Sequence, residues 1–159
     1  MRFRATSWAV ISLLFVAAAG AAEVPPGGAA AAPDSFPVAT EARLGGDDSQ
    51  THFVLELSRK IEVRAFTLAD PYRVVIDLPQ VTFRLPTKTG EVGRGLIKAF
   101  RFGLVMAGGS RIVVDLTRPA RIEAASVAEA SPGGPARMSI ELASTDRETF
   151  LRRAELDTR

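Results

Sequence analysis

The sequence predicts an all-β fold, an internally duplicated sandwich of two four-stranded antiparallel sheets, and three observations carry that prediction. From Val38 onward, Val, Ile, Leu and Phe alternate with Arg, Glu and Asp, which is the period-two pattern of half-buried strands. The same strand pattern occurs twice, which fixes the architecture as a repeat. Clusters of Gly, Pro and Asp punctuate the strands where chain reversals need them.

The chain opens with Arg2 and Arg4, an apolar run from Trp8 to Val16, and small residues from Ala17 to Ala22. That order is the order of a cleavable secretory signal over residues 1–22. The apolar run falls short of the ~20 residues that span a bilayer as a helix, so no stable membrane anchor is expected once the signal is cut. An uncleaved anchor is the alternative; Ala19 with Ala21, or Gly20 with Ala22, fits cleavage. Residues 23–37 are Ala, Gly and Pro with little to bury, and read as a flexible tether.

The strands follow at about 39–44, 51–57, 61–67 and 72–78, then at about 96–102, 110–116, 121–127 and 136–142. Thr51-His52-Phe53-Val54-Leu55-Glu56-Leu57-Ser58-Arg59 lies over Ser110-Arg111-Ile112-Val113-Val114-Asp115-Leu116-Thr117-Arg118. The match runs without a gap to Asp70 over Glu129, breaks at Ser131-Pro132-Gly133-Gly134, and resumes with Pro71 over Pro135. Upstream, Arg43-Leu44-Gly45 corresponds to Arg101-Phe102-Gly103. The second and fourth strands of each half share a template: a basic residue, three mostly aliphatic positions, an acid and a Leu. The pleat puts Ile112, Val114 and Leu116 on one face and Arg111, Val113 and Asp115 on the other. Phe53, Leu55 and Leu57, and Val74, Ile76 and Leu78, join the core set. Reversals fall at Gly45-Gly46-Asp47-Asp48, Asp70-Pro71, Gly108-Gly109 and Pro132-Gly133-Gly134. Two amphipathic sheets hide their apolar faces against each other, which gives the sandwich over residues 38–143. Residues 144–159 read as a charged linker or a short helix, with Thr145-Asp146-Arg147-Glu148 as a capping box.

Composition excludes several chemistries. With no cysteine there is no disulfide framework, thiol nucleophile or lipoprotein thioether. The single histidine, His52, aligns with Arg111 on the water-facing side of a strand and cannot by itself build a zinc centre or a Ser-His-Asp triad. Asp47-Asp48 are turn formers, and the glycine-rich stretches lack the Lys and helix of a phosphate loop. No cofactor is expected. The chain carries 20 Lys+Arg against 18 Asp+Glu, and Arg2 and Arg4 leave with the signal, so the exported part is balanced. Its one local excess runs from Arg84 to Arg111, with Lys88, Arg94, Lys98 and Arg101 between them and Glu91 as the lone acid. Such a surface attracts carboxylates or phosphates. It equally suits the solvated faces of ordinary strands. Nucleic acid is not an expected partner, because stacking aromatics are sparse on these faces.

The repeated template and the segment Phe100-Arg101-Phe102-Gly103 … Ser110-Arg111-Ile112-Val113-Val114-Asp115-Leu116 resemble the AMIN domain. The resemblance implies a periplasmic β-sandwich of two symmetric four-stranded sheets that binds peptidoglycan. It further implies a role at the division septum in targeting N-acetylmuramoyl-L-alanine amidases, with divisome or other envelope proteins as further partners. The same domain occurs in type IV pilus secretins, so a non-enzymatic docking module is the alternative. In the amidases zinc belongs to a following catalytic domain with His and Glu ligands, which this sequence does not contain; the chain is expected to be either the N-terminal part of such an enzyme or free-standing. Arg101 and Arg111 are the leading candidates for contact with wall carboxylates, Arg43 is their counterpart in the first copy, and Arg94 and Lys98 add charge at the margin.

Overall fold

The computed structural model describes residues 35–158. The expected signal peptide at 1–22 and the tether up to residue 34 lie outside the described residues. Nine strands and one helix follow: β1 (Val38–Gly46), β2 (Gln50–Leu57), β3 (Arg64–Leu68), β4 (Arg73–Pro79), β5 (Thr82–Phe83), β6 (Ile97–Met106), β7 (Gly109–Leu116), β8 (Ala120–Glu129), β9 (Ala136–Ser144) and α1 (Arg147–Asp157). They form two sheets, β5-β1-β2-β9-β8 (sheet A) and β3-β4-β7-β6 (sheet B). All neighbours are antiparallel except the two-residue β5, which adds to β1 in parallel and makes sheet A five strands wide.

Each sheet mixes the two copies of the repeat. Sheet A takes the first hairpin of copy one and the last hairpin of copy two; sheet B takes the reverse. Exchanging the copies maps β1-β2-β9-β8 onto β6-β7-β4-β3, so the sandwich has an internal pseudo-two-fold axis. A bulge between Ile122 and Ala124 shifts the later part of β8 by one residue. Ser126, opposite Ser139, therefore holds the place that Phe66 holds opposite Val75, and the gapless sequence match continues with a one-residue offset beyond the bulge.

One apolar core lies between the sheets and belongs to the compact unit Asp34–Arg159. Phe53, Leu55, Leu57, Val74, Ile76, Leu78, Ile112, Val114 and Leu116, the expected inward set, are all buried, while His52 is exposed. Phe53 of sheet A meets Phe100 of sheet B edge to face at 5.0 Å. Thr51 Oγ1 donates to Asp47 O at 2.7 Å and accepts from the buried Leu96 N–H at 2.9 Å, which ties the junction between the copies to the β1–β2 hairpin. Gly46 closes that hairpin at φ +94°, where a Cβ would strike the Gln50 carbonyl.

The end of the chain is helical and packed. Asp146, one residue later than Thr145 in the expected box, caps α1 by accepting from the Thr149 N–H at 2.8 Å. Phe150 is buried to 1% exposure and meets Tyr72 edge to face at 5.0 Å. Asp157 Oδ2 accepts from the Thr67 N–H and hydroxyl at 2.9 and 2.8 Å, so the helix occupies the edge of β3. Phe150, Leu151 and Leu156 are too few to form a core of their own, and Phe150 instead joins the one between the sheets. Among the described residues no helix is long and apolar enough to cross a membrane.

Candidate functional site

The template that recurs in the sequence has a consequence when two copies run antiparallel. Its basic end on one strand falls opposite its acidic end on the next. In sheet B, Arg73 stands opposite Asp115 and Asp77 opposite Arg111; in sheet A, His52 stands opposite Glu141 and Glu56 opposite Arg137. Each outer face is thus built from cross-strand charged pairs around an apolar or small middle row.

On the outer face of sheet B three rows cross the strands. They read Leu68, Arg73, Asp115, Ala99; then Phe66, Val75, Val113, Arg101; then Arg64, Asp77, Arg111, Gly103. Four arginines face two aspartates, and the middle row is apolar enough that Val75 is buried at 2% exposure although it points away from the core. Arg64 lies over the Phe66 ring, 5.7 Å from its centroid. Arg111 donates through Nε and Nη2 to the two oxygens of Asp77 at 2.5 and 2.9 Å. That hydrogen bond holds Arg111 above the ordinary arginine range, so it stays cationic. Arg101 is looser: its Nη1 is 3.5 Å from Asp115 Oδ2, and 65% of its side chain is exposed.

Arg101 and Arg111 are diagonal neighbours on β6 and β7, which sets them roughly 7–8 Å apart at the backbone. Between them Gly103 has no side chain, and a Cβ there would meet nothing within 4 Å. The result is a shallow depression of about 180 Å³ flanked by Arg101, Arg111, Val105 and Val113. A carboxylate resting on Gly103 is within reach of one exposed guanidinium and one anchored guanidinium.

The pseudo-symmetric place on sheet A is closed. The His52 imidazole lies over Gly45, where a Cβ would collide with it. Arg43 is held by its own neighbour, donating to both oxygens of Glu41 at 2.6 Å, and this pair draws the Glu41 carboxyl below its usual range. The corresponding rows carry Glu41, Glu56 and Glu141 against Arg43 and Arg137, so the two outer faces differ in sign.

The five residues singled out from the sequence therefore do not form one cluster. Arg101 and Arg111 share the face of sheet B. Arg43 lies on the opposite outer face. Arg94 sits in the connection before β6, where its Nε donates to the Gly46 carbonyl at 2.9 Å. Lys98 is exposed at the bulge between Ile97 and Ala99. Sequence reasoning missed Arg64, Phe66 and Arg73, which β3 and β4 bring to the same face from the other copy. It also missed Asp77 as the partner of Arg111, although the basic-to-acid template held that signal. Among the described residues no three His, Asp or Glu side chains gather as a metal site would require.

The AMIN domain family model matches residues 41–134, more than half of the chain. The match runs from β1 into the loop after β8 and includes Arg43, Arg101, Gly103 and Arg111. A search of curated proteins finds no match.

Proposed function

The chain belongs to the AMIN domain family, and from that membership we propose that it is a peptidoglycan-binding domain of the periplasm that directs an associated activity to the cell wall. AMIN domains are non-catalytic, peptidoglycan-associated periplasmic domains of amidases and secretins. The amidase setting, septal targeting and export through residues 1–22 belong to the same proposal. The observation that carries it is the open depression at Gly103 between Arg101 and Arg111, on the face with four arginines against two aspartates. Wall stem peptides end in carboxylates, and a guanidinium pair on an accessible face recognises such groups with charge-assisted hydrogen bonds. Binding through this face is electrostatic, so it weakens as salt screens it over a Debye length of ~8–10 Å.

The domain holds the wall and does not cut it. Residues 34–159, mixed with insoluble dye-labelled sacculi, are expected to pellet with them at low salt and to release no dye. Dye release in the presence of zinc overturns the non-catalytic part; failure to pellet at low salt overturns the binding part.

A further inference from the structure

The edges of the two sheets are not protected alike. The β3 edge is occupied by α1 through Asp157, and the start of the β1 edge is covered by β5. The β8 edge is broken by its bulge and carries mostly Ala and Ser beyond it. Ten-residue β6 stands at the edge of sheet B, and its last part exposes Leu104, Val105 and Met106 at 58, 50 and 68%. The Phe100 N–H turns away from β7 and donates to the Gly90 carbonyl at 2.9 Å. Phe102 and Leu104, two and four residues on, present their backbone in the same direction, and no strand lies on that side of them among the described residues.

We infer that the β6 edge from Arg101 to Val105 receives an added strand, an extended segment of a partner protein in which acidic residues alternate with apolar ones. The alternation follows from the pleat. On the core side an added strand meets Phe102, half-buried with its ring tilted against Phe83 at 4.9 Å between centroids, together with exposed Leu104. Apolar side chains at those positions extend the core past the edge. On the outer side it meets Arg101, bare Gly103 and, beyond Gly103, Arg111. An acidic side chain opposite Gly103 crosses the empty space to both guanidinium groups, whereas a lysine there meets two like charges. A second copy of β6 is the less suited occupant, since it adds a further arginine and no acid to this face. The inference does not rest on wall binding: it uses the backbone edge, which a carbohydrate polymer does not need.

The test is amide hydrogen exchange on residues 34–159 with a short synthetic peptide of alternating valine and aspartate. At saturating peptide, exchange at Phe102 and Leu104 is expected to slow by about tenfold or more, as for an exposed amide that gains a strand partner. The same peptide with lysine for aspartate is expected to give no protection. Leu104→Pro removes an N–H on the open side of β6, so it is expected to abolish peptide protection at Phe102 in a protein that still unfolds cooperatively. Unchanged exchange at Phe102 and Leu104 with millimolar peptide overturns the inference, as does equal protection by the lysine peptide. Protection that appears without peptide and tracks a doubling of mass overturns it in favour of self-pairing.

Discussion

Arg111 on β7 and Asp77 on β4 stand directly opposite each other and close two parallel hydrogen bonds of 2.5 and 2.9 Å on the open face of sheet B. Both side chains are more than a third exposed, so the pair contributes roughly 0–1 kcal/mol to stability. Its larger expected effect is on the proposed wall binding, where Asp77 would compete with the ligand for the Arg111 guanidinium. Asp77→Ala is expected to change the thermal midpoint little and to raise retention on sacculi at low salt. Lower retention in a folded variant would mean that Asp77 orients Arg111 for the ligand.

Thr51 and its neighbour His52 test the register of the sheet. Thr51→Val keeps the shape but leaves the buried Leu96 N–H and the Asp47 carbonyl without their partner, which costs about 1–3 kcal/mol. His52→Ala, on the exposed side, is expected to stay within about 0.5 kcal/mol. Denaturant midpoints distinguish them. The reverse order would put the faces of β2 one residue out of register.

Phe150 fastens α1 into the sandwich. Phe150→Ala is expected to cost about 3–5 kcal/mol, as loss of a large buried aromatic does, and to speed amide exchange at Thr67, whose N–H is held by Asp157 of the same helix. A small loss with Thr67 still protected would mean that the edge of β3 is held without the helix.

Asp47 gives the β1–β2 turn an acid limit. Its carboxylate accepts from the Ser49 hydroxyl and from the Ser49 and Gln50 N–H groups, which lowers its pKa from 3.8 to about 2. A lowered pKa stabilises the folded state above the ordinary value and stops doing so as pH falls through the folded one. Wild-type stability is therefore expected to decline between about pH 4 and pH 2, and Asp47→Ala, less stable at pH 7, to show a flatter decline over that window. Parallel curves for the two proteins would show that the turn contacts do not bind the charged form preferentially.

The sandwich was legible because alternation, turns and repeat agreed: Phe53, Ile76 and Val114 lie inside, as their spacing requires. How the copies share the sheets was not, since a repeated hairpin pairs equally well with its own copy or with the other, and only the assembled structure distinguishes the two. The one-residue bulge in β8 was also hidden, because its Ala and Ser side chains carry little pattern. Of the residues in the local charge excess, Arg101 and Arg111 share the outer face of sheet B, as the pleat of their strands requires. Arg43 was read correctly as the counterpart of Arg101, but the pseudo-two-fold axis puts a counterpart on the opposite face, where Glu41 and His52 close the equivalent place. Local charge also drew in Arg94, whose guanidinium is used by the Gly46 carbonyl.

Wall binding at the Gly103 depression is tested most directly by sacculus retention of residues 34–159 beside Arg101→Gln with Arg111→Gln. Glutamine removes both charges without placing a new acid against Asp77 or Asp115. The wild type is expected to pellet with sacculi at low salt and to be released as salt rises, while the double variant, with a similar thermal midpoint, stays in solution. Retention of the folded double variant equal to wild type would contradict that expectation and place the wall-binding surface away from the Gly103 depression.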